Sequence, residues 1–119
     1  MHEFAVAKAL VDAAIDVARD AKMCRVTRLR CRIGDMRQVD SWLLEEAFVL
    51  AREGTVCEVA ELSVERRHMR LECEQCGIVF DVRDWDWRCP DCGSTGCNAH
   101  GGDELELTGI DGDPADDED

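Results

Sequence analysis

The sequence predicts an α+β fold, a small three-stranded sheet packed with two helices and interrupted by a cysteine-rich insert. Three observations carry this. Apolar residues recur at helical spacing in two stretches and alternate in three others. Four of the eight cysteines fall into two Cys-x2-Cys pairs, between the last two alternating stretches.

Residues 3 to 21 read as the first helix. Phe4, Ala7, Leu10, Val11, Ala14, Ile15 and Ala18 recur three and four apart, with Lys8, Asp12, Asp16 and Asp20 on the opposite stripe. Residues 25 to 33 alternate, as a strand with one buried face does: Thr27, Leu29, Cys31 and Ile33 point one way and Arg28, Arg30 and Arg32 the other. The three arginines read as a solvated face or as a dock for an acidic partner. Gly34 and Asp35 break the strand. Asp40 or Ser41 can cap a second helix, because a short side-chain oxygen accepts an orphan backbone N–H. Leu43, Leu44, Ala47, Phe48 and Ala51 form its buried face. A second strand is expected from about Val56 to Glu65, with Ala60, Leu62 and Val64 facing inward. A third is expected from about Glu104 to Ile110. Cys24, Cys31 and Cys57 read as small core hydrophobes.

This order divides the chain into an α/β domain at 1–70, completed by a returning strand at 103–110, and an insert at 71–102. A tail at 111–119 follows, with six acids and no base, and is expected to be disordered. The formal net charge of −13 makes nucleic acid a poor partner, since phosphates demand a basic surface. It argues equally against an anionic membrane face. No stretch approaches the roughly 20 apolar residues of a spanning helix. Met1-His2-Glu3 lacks the basic start of a secretory leader, so the chain reads as cytoplasmic. Thiols stay reduced there, and clustered cysteines then suggest metal chemistry before disulfides.

Cys73-x2-Cys76 and Cys89-x2-Cys92 have the spacing of two metal knuckles. Each short turn lets two sulfurs reach one ion, and backbone N–H groups in the turn can donate to them. Gly77 and Gly93 follow the second cysteine of each pair and permit a left-handed turn, and Pro90 stiffens the second. Four thiolates suit Zn²⁺ and leave no open coordination position, so the site is structural: an inserted four-cysteine zinc-ribbon domain. Trp85 and Trp87, with Phe80, are placed to cover it. Cys97 and His100 follow closely, as loop residues or as extra ligands. Iron would accept the same four thiolates, as in a rubredoxin-like electron carrier.

The amino terminus offers a second kind of site. The Met1 amine and the His2 amide nitrogen close a five-membered chelate ring, the His2 imidazole closes a six-membered one, and the Glu3 amide can complete four nitrogens. A planar nitrogen set is what Ni²⁺ or Cu²⁺ prefers and Zn²⁺ does not.

Three features together point to one family: the MHE start, the IGDM turn at Ile33 to Met36, and the CxxCG…CPxCGS ribbon followed by GGDELELTGI. Over about residues 1 to 110 the chain closely resembles the HypA/HybF family of hydrogenase nickel-incorporation proteins. The resemblance implies a non-enzymatic metallochaperone with an α/β nickel-binding domain and a zinc domain. It implies delivery of Ni²⁺ to the maturing [NiFe] hydrogenase large subunit with the GTPase HypB, and in some bacteria to urease through its accessory proteins. Carried over by position, Met1, His2 and Glu3 match the nickel terminus, and Cys73, Cys76, Cys89 and Cys92 the zinc ligands. Asp40 matches an acidic position near the nickel, and His100 is a further candidate from the zinc domain. His68 reads as a surface or strand-end residue. Two features depart from the family pattern, the STGCNAHGGD loop with its additional Cys and His, and the acidic tail. The rival to a chaperone is a zinc-ribbon adaptor that docks proteins and carries no transferable metal.

Overall fold

The computed structural model describes residues 2–82 and 86–115. Its elements are α1 (Glu3–Asp20), β1 (Met23–Gly34), α2 (Ser41–Ala51), β2 (Glu61–Arg67), β3 (Arg70–Cys73), β4 (Val79–Asp81), β5 (Cys97–Ala99) and β6 (Leu105–Pro114), with one turn of 3-10 helix at Asp35–Arg37. They form two three-stranded sheets, ordered β2-β1-β6 and β4-β3-β5. The α+β class with two helices, a three-stranded sheet and a four-cysteine domain is therefore the observed one. The chain separates into two compact units. One comprises Met1–Arg32, Val39–Glu65 and Glu106–Asp119; the other comprises Ile33–Gln38 and Arg66–Leu105. No described helix is long and apolar enough to cross a membrane.

In the first unit α1 packs on α2. Helix α1 buries Val6, Ala7, Leu10, Val11, Ala14 and Ala18, the stripe its periodicity requires. Phe4, expected on that stripe, is exposed, and Val6 takes its place in the core. Helix α2 buries Leu44, Ala47 and Phe48. Leu43, expected on that face, is exposed, and its backbone N–H donates to the Asp40 carboxylate that caps the helix. Strand β1 buries Leu29, Cys31 and Ile33 in alternation, but the alternation slips toward its start. Val26 is buried, whereas Thr27 is exposed and donates its hydroxyl to the Asp111 carbonyl.

The ion pairs show the strand directions. Arg28 meets Glu61 and Arg32 meets Glu65, so β1 and β2 run parallel, as a crossover through α2 demands. Arg25 meets Asp113, Arg30 meets Asp111 and Arg32 also meets Glu106, so β6 runs antiparallel to β1. These pairs account for the basic strip read from the sequence: its cations are matched by carboxylates of the same sheet.

Three further expectations need correction. The second strand starts at Glu61, because Val56–Ala60 close into turns. The Thr55 hydroxyl accepts from Cys57 N–H, and Glu58 and Ala60 donate to the carbonyls of Thr55 and Cys57. Asp111–Pro114, expected in a disordered tail, continue β6 instead. Asp111 and Asp113 are held by Arg30 and Arg25, and Ala115 N–H donates to the Lys22 carbonyl. Residues 116–119 lie outside the described residues. Cys31 and Cys57 are buried as expected, but Cys24 is exposed at the start of β1, with its thiol donating to the Pro114 carbonyl.

In the second unit β3 is the central strand, antiparallel to both β4 and β5. Met69, Leu71 and Val82 form its small core, with Phe80 and Cys97 packed against them. So small a core is typical of a domain that needs a further staple.

Candidate metal centres

The Cys73, Cys76, Cys89 and Cys92 sulfurs all lie within 4.8 Å of one another. Two separations, Cys73 to Cys92 and Cys76 to Cys89, are 3.6 Å. The edge of a tetrahedron of thiolates around Zn²⁺, with bonds of about 2.3 Å, is roughly 3.8 Å. The four sulfurs therefore fit a single tetrahedral ion.

The two knuckles repeat one construction. Gly77 N–H returns to the Cys73 carbonyl at 2.9 Å, and Cys73 N–H donates to Ile78 at 2.9 Å. In the second knuckle Gly93 N–H returns to the Cys89 carbonyl at 2.8 Å, and Cys89 N–H donates to Ser94 at 2.9 Å. Gly77 and Gly93 have φ of +78° and +75°, the left-handed conformation that glycine adopts at no steric cost.

Backbone amides aim at the sulfurs as the spacing predicted. The N–H of Cys76 and, after it, that of Gln75 draw the Cys73 thiol down to about 6, against the opposing effect of burial. The Ile78 N–H pulls the Cys76 thiol down as well. There, however, burial and the neighbouring Cys89, Cys73 and Cys92 sulfurs outweigh it and push the thiol up to about 12. Cys92 receives the Ser94 N–H, yet the adjacent sulfurs and burial raise it too. One thiol in this cluster ionises readily and the next ones resist. A divalent cation removes that mutual repulsion, so full deprotonation and metal binding are one event.

The covering residues differ from expectation. Trp87 is 47% exposed. Phe80 packs on Met69, Leu71 and Val82, and with Cys89, Pro90 and Gly93 it lines a shallow surface depression. Trp85 lies outside the described residues. Cys97 is half-buried in β5, outside the group of four, and His100 has its Nδ1 3.6 Å from Glu72 Oε1. His68, between β2 and β3, sits 3.2 Å from Asp35 through Nδ1.

Met1 lies outside the described residues. His2 is the N-cap of α1, exposed and extended, with φ −78° and ψ 110°, and its side chain makes no capping bond. The first helical bond described runs from Val6 N–H to the His2 carbonyl. The N–H groups of His2 and Glu3 lie at the helix start, where no carbonyl one turn back accepts them.

The Glu3 carboxylate fills part of that gap. It accepts the Asp40 N–H at 2.9 Å and its own N–H, and these bonds hold it below the usual carboxylate range. Asp40 in turn caps α2, accepting Leu43 N–H at 3.0 Å. The starts of both helices thus meet at Glu3 and Asp40, two carboxylates where two positive dipole ends converge. Sequence reasoning placed Asp40 as a cap or as a metal neighbour. The structure confirms the cap and adds the contact with Glu3.

A family model described as hydrogenase/urease nickel incorporation, metallochaperone, hypA matches residues 1–112. The chain belongs to the HypA family. It is 34% identical over 110 residues to the hydrogenase maturation factor HypA of Aquifex aeolicus, covering 92% of this chain and 96% of that protein. The HypA of Deinococcus radiodurans is 41% identical over 108 residues, covering 90% and 89%. The solution structure of the Ni metallochaperone HypA from Helicobacter pylori superposes with a TM-score of 0.68 at 28% identity, covering 98% of this chain and all of that one. HypA proteins are maturation factors and metallochaperones, not enzymes.

Proposed function

We propose that this chain carries Ni²⁺ at its amino terminus, on Met1, His2 and Glu3 with Asp40 beside them. It delivers the ion in the cytoplasm for maturation of [NiFe] hydrogenase. Its partners in this reading are the GTPase HypB and the hydrogenase large-subunit precursor, with urease accessory proteins as a second destination. Cys73, Cys76, Cys89 and Cys92 hold a structural Zn²⁺, whose four thiolates leave no position for cargo.

The observation that carries the nickel reading is the start of α1. Main-chain nitrogens there are not committed to the helix, an imidazole without a capping bond stands beside them, and Glu3 and Asp40 offset the positive ends of two helices. Amide, amine and imidazole nitrogens form the planar set that Ni²⁺ favours. The position is open to solvent, so a partner can take the ion by exchanging ligands one at a time. All of these ligands shed protons on binding, so affinity falls as pH drops from about 8 to 6.

The test is a nickel titration of zinc-loaded protein, wild type beside His2→Ala, followed by d–d absorption with zinc content measured in parallel. His2→Ala is expected to lose tight nickel binding and keep its zinc. Unchanged nickel uptake in that variant would refute the reading. A zinc-ribbon adaptor would show no nickel-specific absorption in the wild type either, and a red, iron-containing protein would mark an electron carrier.

A further inference from the structure

Cys97 is a fifth cysteine of the second unit, and nothing in the four-sulfur site uses it. Its position is set by strand register. In the antiparallel pairing of β3 with β5, Cys97 is the direct partner of Cys73. Glu74 N–H donates to the Gly96 carbonyl at 3.0 Å, and His100 N–H donates to the Arg70 carbonyl at 2.7 Å. The hydrogen-bonded pairs are therefore 74 with 96 and 70 with 100. Alternation along the ladder makes Cys73–Cys97 a non-hydrogen-bonded pair, with its α-carbons about 4.5 Å apart and its side chains on one face of the sheet. That separation lies within the range of roughly 4.4–6.8 Å that a disulfide spans. The Cys97 thiol donates to the Ser94 carbonyl at 3.7 Å, a weak bond that it gives up on pairing with Cys73. Cys97 also packs on the core of this unit, and it is only half-buried, so solvent reaches it.

We propose that Cys73 and Cys97 form a reversible redox pair, in which a peroxide oxidises them to a cross-strand disulfide and the zinc site loses a ligand. The half-buried Cys97 thiol, losing its proton, attacks one peroxide oxygen and becomes a sulfenic acid, and the departing hydroxide takes that proton as water. The buried Cys73 thiolate beside it then attacks the sulfenic sulfur, and hydroxide leaves. One thiolate, one thiol and one hydrogen peroxide yield one disulfide, one water and one hydroxide. The sulfurs lose two electrons and the peroxide gains them. With Cys73 withdrawn, three thiolates remain and the ion is released. A dithiol reductant reverses the chemistry by thiol–disulfide exchange. The release step rests on the zinc reading given above, whereas the disulfide depends only on the register of β3 and β5.

The experiment treats the zinc-loaded full chain with hydrogen peroxide. Zinc content is measured first, and free zinc is then followed with a chromogenic chelator. The oxidised chain is digested without reduction, with cleavage after Glu74, Arg83 and Arg88 separating Cys73 from Cys76 and both from the segment that carries Cys89, Cys92 and Cys97, and fragmentation of the linked peptides locates the joined sulfurs. The expected result is a dominant Cys73–Cys97 link, loss of zinc in step with it, and recovery of zinc binding after dithiothreitol and added Zn²⁺. Cys97→Ser should keep its zinc before oxidation and release it severalfold more slowly. Cys24→Ser, which removes an exposed thiol of the other unit, should behave as wild type. A dominant link within either Cys-x2-Cys pair, or wild-type release from Cys97→Ser, overturns the proposal. Absence of zinc before oxidation would instead count against the zinc reading, and the peptide map would still decide the disulfide.

Discussion

Replacing Gly34 by alanine is expected to be far more damaging than its ordinary backbone torsion suggests. Gly34 has φ −81°, which any residue adopts. Its requirement for glycine is one of space. A β-carbon there would lie 2.0 Å from the Gly102 carbonyl oxygen, 2.2 Å from its carbon and 2.7 Å from Asp103 N, all backbone atoms. Gly102 has nowhere to retreat, because its own absent β-carbon faces the Met69 α-carbon at 2.5 Å. Relieving the overlap requires the two chain segments to part by roughly 1 Å, and overpacking of this kind costs about 1–3 kcal/mol. The same movement breaks two short bonds, Gly34 N–H to the Glu104 carbonyl and Met36 N–H to the Gly102 carbonyl, both 2.8 Å. Each contributes about 1 kcal/mol. The total is about 3–5 kcal/mol, a large part of the 5–15 kcal/mol typical of a native domain. Urea unfolding at fixed free zinc is the assay, because bound metal otherwise shifts apparent stability. With ordinary m-values the midpoint should fall by about 2 M. Gly77→Ala supplies the comparison: nothing lies within 4 Å of its added carbon, and only the φ of +78° opposes it, for about 1 kcal/mol. If Gly34→Ala costs no more than Gly77→Ala, the steric argument fails.

Cys76→Ser should lose zinc and open the second unit while α1 and α2 stay folded. Hydrogen exchange would show lost protection confined to β3, β4 and β5, and retained zinc would contradict the four-thiolate site. Glu3 bears on acid stability. Its folded carboxyl is held below its usual value by the Asp40 N–H and its own N–H. Its contribution is thus present above the ordinary value of 4.5 and is lost as pH falls through the lowered one. Glu3→Gln should flatten the acid limb of a stability–pH curve below about pH 4.5, and an unaltered limb would show that the Glu3–Asp40 contact carries no linkage.

Much of this structure is legible in the sequence because the signals are local. The stripe from Ala7 to Ala18, the alternation of Leu29, Cys31 and Ile33, and the twin Cys-x2-Cys-Gly runs each report their own element. The failures arose where distant partners decide. Nothing local in DGDP says strand. Arg25 and Arg30, more than eighty residues earlier, hold Asp113 and Asp111 in register. Val56–Ala60 are apolar enough for a strand, but the Thr55 hydroxyl diverts them into turns. The meeting of Glu3 with Asp40 requires two helices to start side by side, which periodicity cannot reveal. The opposition of Cys97 to Cys73 is likewise a product of register alone.

The ion pairs of the first sheet have a consequence beyond their own modest energies. Four of its cations, Arg25, Arg28, Arg30 and Arg32, stand on the central strand, and the carboxylates that meet them stand on β2 and β6, the two edges. The β2 edge also carries Arg66 and Arg67, whereas β6 carries no base. An open sheet edge is a template on which another chain can add a strand. Two copies approaching along β6 would bring rows of carboxylates together, Glu106, Asp111 and Asp113 of each. The same residues that knit β6 into the sheet therefore repel its extension, and the acidity of the chain works as a guard on that border.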